Sequence, residues 1–444
     1  MRALILAAAL LAAAPAANTA WAQTPDPAAA PAEPTTPRQT VAAVAERIRA
    51  LYFDPAAAAR IADGLEAESA AGAFDDLTDG RDLAAALSAR LRPLDAHFNV
   101  AFNPNAPLRR RPPPVAGTSG EPPAADQPRR ADPLEARSHY GFRAVEILPG
   151  NVGYIDLRQF SDIDFDNPAD PARRAADAAL TFVADADAVI FDLRHNGGGA
   201  PSMVGYLTSA FTPAGAPIYN IFHSREGTES EAPAVFHPNP RLDVPLYVLI
   251  SGRTGSAGEA FPYTLQGAKR ATIVGEASGG AANPGGMVPV GGGFSVFVSM
   301  GSPKNPNTGG NWEGTGVQPD VAAPWDQALD RAHQLALEAI VAKDGERTDA
   351  AWALEAMRAT ADGGDLSAYA GAYGDQMVSA ADGRLTLTRG RRPPVVLAPL
   401  GDDLFSVVGD PGRRVRFSRD EAGRVAAFDT LGLRAPSMRA RRTD

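Results

Sequence analysis

Val244–Glu259 reads VPLYVLISGRTGSAGE, and its three parts decide the fold class. Val244 to Ile250 is a short apolar run with β-branched members, the composition of a buried strand. Ser251-Gly252-Arg253-Thr254-Gly255 breaks that run, and Ala257 to Gln266 has the composition of a helix. Ser256 therefore stands on the first turn of a helix that follows a strand. Unpaired backbone N–H groups and the positive end of the helix dipole converge there and favour an anion or oxyanion. The same residues also spell a capping box, Ser256-x-x-Glu259. Nucleophile and helix cap are both open readings of Ser256 from this segment alone.

The strand-then-helix order repeats on the N-terminal side. Val152 to Leu157 (VGYIDL) and Ala188 to Leu193 (AVIFDL) are short apolar strands, with helical stretches at Pro171 to Val183 and Ser202 to Phe211 between them. Such alternation predicts βαβ units and a mostly parallel sheet, an α/β core. Gly291 to Met300 alternates as a strand should, and Asp326 to Lys343 is an amphipathic helix that Ala350 to Ala359 continues after a turn. Val41, Val44, Ile48 and Leu51 recur at helical spacing, so the region before the core reads as a small helical bundle. Leu366 to Met438 is a run of short strands separated by turn signals such as Asp382-Gly383, a small antiparallel barrel or curled sheet without catalytic residues. The expected division is 1–22 signal peptide, 23–37 flexible leader, 38–103 helical subdomain, 104–137 Pro/Arg-rich linker, 138–325 catalytic core, 326–365 helical connector and 366–444 β module.

Composition narrows the function. A chain of 444 residues with a net charge of −10 has room for two or three domains and no basic stripe for nucleic acid. Arg2, the apolar run Ala3 to Ala17 and Ala20-Trp21-Ala22 form a secretory signal with cleavage expected after Ala22, hence a periplasmic or extracellular protein. No later segment is apolar enough to span a bilayer. Cysteine is absent, so stability must come from packed cores even where disulfides could form.

Four patches carry candidate chemistry. His97, in LDAHFNV, lies between a helix and a strand, where a loop can aim it into a cleft; His195 is the second choice of base. Asp192 to Gly199, DLRHNGGG, follows a strand with three glycines that can present bare N–H groups to a ligand. The phosphate-loop pattern is missing, so half of an oxyanion hole fits better than a nucleotide cradle. Ser256 is the third patch. Glu313, in NWEGTGVQPD, sits before two glycines on a constrained turn suited to orienting a histidine. No pattern calls for a cofactor or a metal.

In that order GYIDLRQF, VIFDLRHNGGG, TGSAGEAF, IVGEASGGAAN and WEGTGVQPD resemble the S41 serine peptidases, and the region ending in DAHFNV is similar to that family's N-terminal part. The resemblance covers about Tyr140 to Pro324. It implies a ClpP/crotonase-like core and a peptide or protein substrate. In the C-terminal processing branch a lysine follows the serine, but Gly275 to Ala282 reads GEASGGAA, without lysine. The tricorn-like branch implies a Ser256, His97 and Glu313 triad, with the N–H of Ala257 and that of Gly197 or Gly198 as oxyanion hole. Ala96 stands where that branch has a serine before the histidine, so Glu313 must reach His97 directly, through water or through another residue. A PDZ domain is not expected, because the Pro104 to Pro133 segment cannot build a core. A histidine near its reference pKa predicts activity falling below about pH 6. The alternative reading is a non-catalytic protein that binds apolar ligands or peptides on the same fold.

Overall fold

The computed structural model describes residues 36–95, 97–104, 133–359 and 365–443. The expected signal peptide and most of the 104–137 segment lie outside the described residues. Where the leader was expected to run to residue 37, a helix already begins: Pro37–Leu51 is capped by the Thr36 side chain, and Gln39 closes a capping box. Pro133–Arg137, expected as linker, is a short helix.

The central sheet has six strands in the order Val321–Ala322, Thr272–Gly275, Leu246–Ile250, Ala188–Asp192, Val152–Leu157 and Phe142–Leu148. All neighbouring pairs are parallel except the last, where Phe142–Leu148 runs antiparallel at one edge. The three inner strands around Val152, Ala188 and Leu246 are buried throughout, as a sheet covered on both faces requires. Side chains alternate between those faces. Val189, Phe191, Val248 and Ile250 pack toward the helices Pro171–Phe182, Pro201–Ser209 and Ala257–Gly267. Ala188, Ile190, Tyr247 and Leu249 pack toward the helices Ala328–Lys343 and Thr348–Arg358.

The N-terminal layer is not the purely helical bundle that periodicity predicts. Its core joins Val44, Ile48, Leu87 and Phe98 to Phe294, Val296 and Val298. Phe294–Ser299 lies outside the central sheet and pairs antiparallel with both Val100–Phe102 and Gly285–Gly291. A hairpin from late in the chain thus completes the core of the first helices and holds the His97 segment against the rest. A third small sheet, Gly301–Lys304 with Ile221–Ser224 and Thr228–Ser230, borders the site from the other side.

The C-terminal strands, Gly371–Tyr373 through Ala435–Arg441, pair in sequential order. A bridge from Tyr373 to Arg442 and a Thr443 N–H bond to the Ala372 carbonyl bring the last strand back to the first. Tyr373, Leu385, Phe405 and Phe428 form this unit's own core. It docks on the preceding helix through Arg414, whose guanidinium lies 4.2 Å from the Trp352 ring centroid. None of the candidate site residues belongs to it.

Candidate active site

Ser256 sits at the junction expected for it. The strand Leu246–Ile250 ends, the chain turns, and the helix Ala257–Gly267 begins. Its backbone is held at φ 54° and ψ −125°, a conformation that non-glycine residues rarely adopt and that costs on the order of 1–3 kcal/mol. The surrounding contacts sustain it. The Ser256 N–H donates to Glu259 Oε2 at 2.8 Å, the return half of the capping box read from the sequence. Gly198 packs so close that a Cβ there would lie 2.9 Å from the Ser256 Cβ.

Glu259 does more than cap a helix. Its side chain is fully buried, and four donors converge on its carboxylate. Oε1 accepts from Ser278 Oγ at 2.6 Å and from the Gly280 N–H at 2.7 Å. Oε2 accepts from the N–H of Ala281 at 2.9 Å as well as from Ser256. The next two N–H groups of that loop, Ala282 and Asn283, both donate to Glu313 Oε2 at 2.9 Å. One loop, Ser278 to Asn283, therefore joins the carboxylate that holds the serine to the carboxylate that holds the histidine. It approaches the Glu313 turn closely: Gly316, at φ +70°, has the Ser278 carbonyl only 2.3 Å from where a Cβ would be. Any side chain at Gly316 would push the two loops apart.

Of the three routes left open from Glu313 to His97, the structure has the direct one. His97 Nδ1 lies 2.9 Å from Glu313 Oε1, so Ala96 is not needed as a relay. A second carboxylate, not singled out from the sequence, faces the same nitrogen: Asp95 Oδ1 is 3.4 Å from Nδ1 and accepts the His97 backbone N–H at 2.9 Å. Asp95 is buried and takes a 2.7 Å bond from Ser299 Oγ through its other oxygen. The ring stacks on Phe297, with centroids 5.7 Å apart. The same strand that fills the N-terminal core thus grips both Asp95 and His97. The signal for Asp95 was its i−2 spacing to His97; only the fold shows what it contacts. Asp95, His97 and Glu313 lie close enough to one another to ligate a cation, yet each carboxylate already receives hydrogen-bond donors. The geometry suits an oriented imidazole.

Two carboxylates at Nδ1 fix the proton there, which leaves Nε2 as the nitrogen able to act as base. They also change its affinity for protons. Burial works to lower the His97 pKa, but the bonds from Asp95 and Glu313 outweigh it and lift the pKa to about 9. Asp95 titrates below the usual carboxylate range: burial opposes this, and the bonds from His97 and Ser299 prevail. For His97 as the base, this pairing moves the expected pH limb upward from about 6. A base works when deprotonated, so kcat/KM is expected to rise with pH through about 9. Asp95→Asn removes one of the two anions and should move that limb downward toward about 6.5. A pH–rate profile of both proteins checks it, and identical limbs would refute the role given to Asp95. The sign carries over to stability: protonated His97 stabilises the folded chain fully below the unfolded-state pKa, about 6.5, and that contribution is lost as pH rises through the folded value.

The expected set of oxyanion-binding N–H groups needs one correction. The Gly198 N–H is already used, donating to Asn196 Oδ1 at 2.9 Å. What Gly198 supplies is room for Ser256. Among the described residues the N–H groups of Gly197, Gly199 and Ala257 donate no hydrogen bond, and Gly199 and Ala257 border the same cavity as Ser256. His195 stands apart from this arrangement, edge-on to Trp325 at 5.9 Å. Lys269, Lys304 and Lys343 are the chain's only lysines, and none of them lines the Ser256 cavity. Among the described residues no hydrogen bond links Ser256 Oγ to His97.

Comparison with known proteins agrees with the sequence resemblance. The family described as Peptidase family S41 matches residues 151–323. The chain is 27% identical over 202 residues to the chloroplastic carboxyl-terminal-processing peptidase 1 of Arabidopsis thaliana, covering 45% of this chain and 40% of that one. It is 33% identical over 129 residues to a carboxyl-terminal-processing protease of Synechocystis, covering 29% and 28%. The chain thus spans less than half the length of these relatives. Among solved structures it is similar to the photosystem II D1 C-terminal processing protease, with a TM-score of 0.41 and 17% identity over 66% of this chain and 94% of that one.

Proposed function

Residues 151–323 are a peptidase family S41 domain, and from that premise we propose that this chain is an exported serine peptidase working through Ser256, His97 and Glu313 on a ClpP/crotonase-like core. The observation that carries the reading is the direct Glu313–His97 contact, made by a carboxylate whose supporting loop also holds the Ser256 turn. A serine hydroxyl is a weak nucleophile until a base removes its proton in the transition state. Nε2 of His97 takes that proton as Ser256 Oγ attacks the scissile carbonyl. Glu313, and beside it Asp95, stabilise the imidazolium that forms. The N–H of Ala257, with Gly197 or Gly199 opposite it, receives the tetrahedral oxyanion; each such donor is worth about 3 kcal/mol. His97 then returns the proton to the leaving amine, and water repeats the sequence on the acyl-enzyme.

Export rests on the first 22 residues of the sequence, and a peptide or protein is the substrate this chemistry serves. Treatment with a fluorophosphonate followed by peptide mapping tests the whole reading. A single adduct is expected on Ser256, formed faster as pH rises toward 9 and lost in His97→Ala. An unlabelled Ser256 would instead favour a protein that binds ligands in the same cavity without cleaving them.

A further inference from the structure

A cavity of about 280 Å³ opens directly beside Ser256 and Ala257. Its walls are mostly apolar, from Phe165, Val204, Phe222, Pro233 and Trp312. Two acidic groups break that lining, Glu229 and Glu231, and the partly buried one is Glu231, on the segment that follows the strand Thr228–Ser230. We propose that this cavity receives the substrate side chain on the acyl side of the scissile bond, and that Glu231 selects a cationic one, lysine or arginine. The inference rests on the peptidase reading of Ser256 and names its substrate class.

Three observations converge on Glu231. Its position is built. Asn220, itself buried, donates from Nδ2 to Glu231 Oε2 at 3.0 Å and is held in turn by Asn305 Nδ2 at 3.0 Å. The Glu231 N–H closes onto the Asn220 carbonyl at 2.9 Å. Gly205 lets the helix Pro201–Ser209 approach this segment, since a Cβ there would lie 3.0 Å from the Glu231 carbonyl. Its charge is uncompensated: among the described residues no arginine or lysine pairs with it. Glu229, exposed on the same cavity wall, adds a second negative charge rather than a positive one. Burial accordingly holds the Glu231 carboxyl up at about 7, opposed by the Asn220 bond and helped by Glu229. A carboxylate kept out of water without a counter-charge is unfavourable, and a cation brought to it relieves that state. The apolar walls suit the methylene stem of lysine or arginine, whose tip then reaches the acid. Ser202, a polar side chain of the same lining, is already bonded to Asp162.

The test compares peptides that differ only in that residue, lysine against methionine, with the full chain at about pH 9, where lysine is still charged. A kcat/KM ratio favouring lysine by about tenfold or more is expected, falling by at least that factor in Glu231→Gln. Methionine preferred by the unsubstituted chain, or a ratio unmoved in Glu231→Gln, would overturn the proposal. Fluorophosphonate labelling in parallel separates the two levels. If Ser256 labels while the ratio fails, only the specificity is wrong; if Ser256 does not label, the peptidase reading itself has failed. Should Glu231→Gln not fold, competition on the unsubstituted chain decides. Benzamidine should inhibit labelling of Ser256 and benzamide should not; equal inhibition by both sinks the inference.

Discussion

Ser256→Ala is expected to lower peptide hydrolysis by about 10⁴- to 10⁶-fold, the loss seen when a serine nucleophile is removed from an otherwise intact site. The chain should stay folded. The Ser256 turn is held by its own backbone N–H on Glu259 and by the close approach of Gly198, and neither depends on the hydroxyl. Alanine tolerates the φ of 54° no better and no worse than serine. Reading Ser256 as an ordinary cap assigns the side chain about 1 kcal/mol. The Glu259 bond carries much of that capping and survives the substitution. Peptide turnover and thermal unfolding of the purified variant test both halves together. Turnover at the parental rate would mean that another residue attacks.

Glu259→Gln should damage the protein more broadly, although Glu259 touches no substrate. Each carboxylate oxygen accepts two donors: Ser278 Oγ and the Gly280 N–H on one, the N–H groups of Ser256 and Ala281 on the other. Glutamine keeps one oxygen and turns an amine toward the remaining pair. Two buried donors then lose their acceptor and face a third. Breaking a buried charge-assisted cluster costs about 3–5 kcal/mol, which for a unit of about 200 residues corresponds to roughly 6–20 °C in Tm. Activity should fall as well, because the freed loop also supplies the Ala282 and Asn283 donors that seat Glu313. Calorimetry with an assay at a temperature where the variant is still folded separates the effects. A Tm within about 1 °C of the parent and full activity would show that the carboxylate is a mere cap.

Much of this architecture was legible because it is local. The apolar runs at Val152, Ala188 and Val244 and the helical stretches after them announce a parallel core through short-range pattern. The strand–turn–helix position of Ser256 follows from sixteen consecutive residues. Less legible were elements whose partners lie far along the chain. Gly285–Gly291, GGMVPVG, has too much glycine and too little alternation to declare itself a strand. It becomes one by pairing with Phe294–Ser299. That hairpin then fills the core of helices about 200 positions earlier, a contact no periodicity records. The strands Ile221–Ser224 and Gly301–Lys304 are illegible for the same reason, since they pair with each other across about 80 positions.

The sequence by itself determined the strand–helix order, the glycine turns and the residue types able to act as nucleophile, base and orienting acid, because these depend on backbone preference and side-chain chemistry within a few residues. Only the tertiary structure decided which of them meet. Asp95 and Glu313, 218 positions apart in the chain, meet at one nitrogen of His97 because a distant strand pins Asp95 through Ser299 and stacks Phe297 on the ring. Their joint field, absent from any local pattern, carries the His97 pKa from its reference value to about 9. The same holds for Gly198: its glycine was legible, but only the folded chain shows its N–H turned to Asn196 and its open side given to Ser256. Electrostatic and steric effects act over a few ångströms of space, whatever the separation along the chain, and space is what folding supplies.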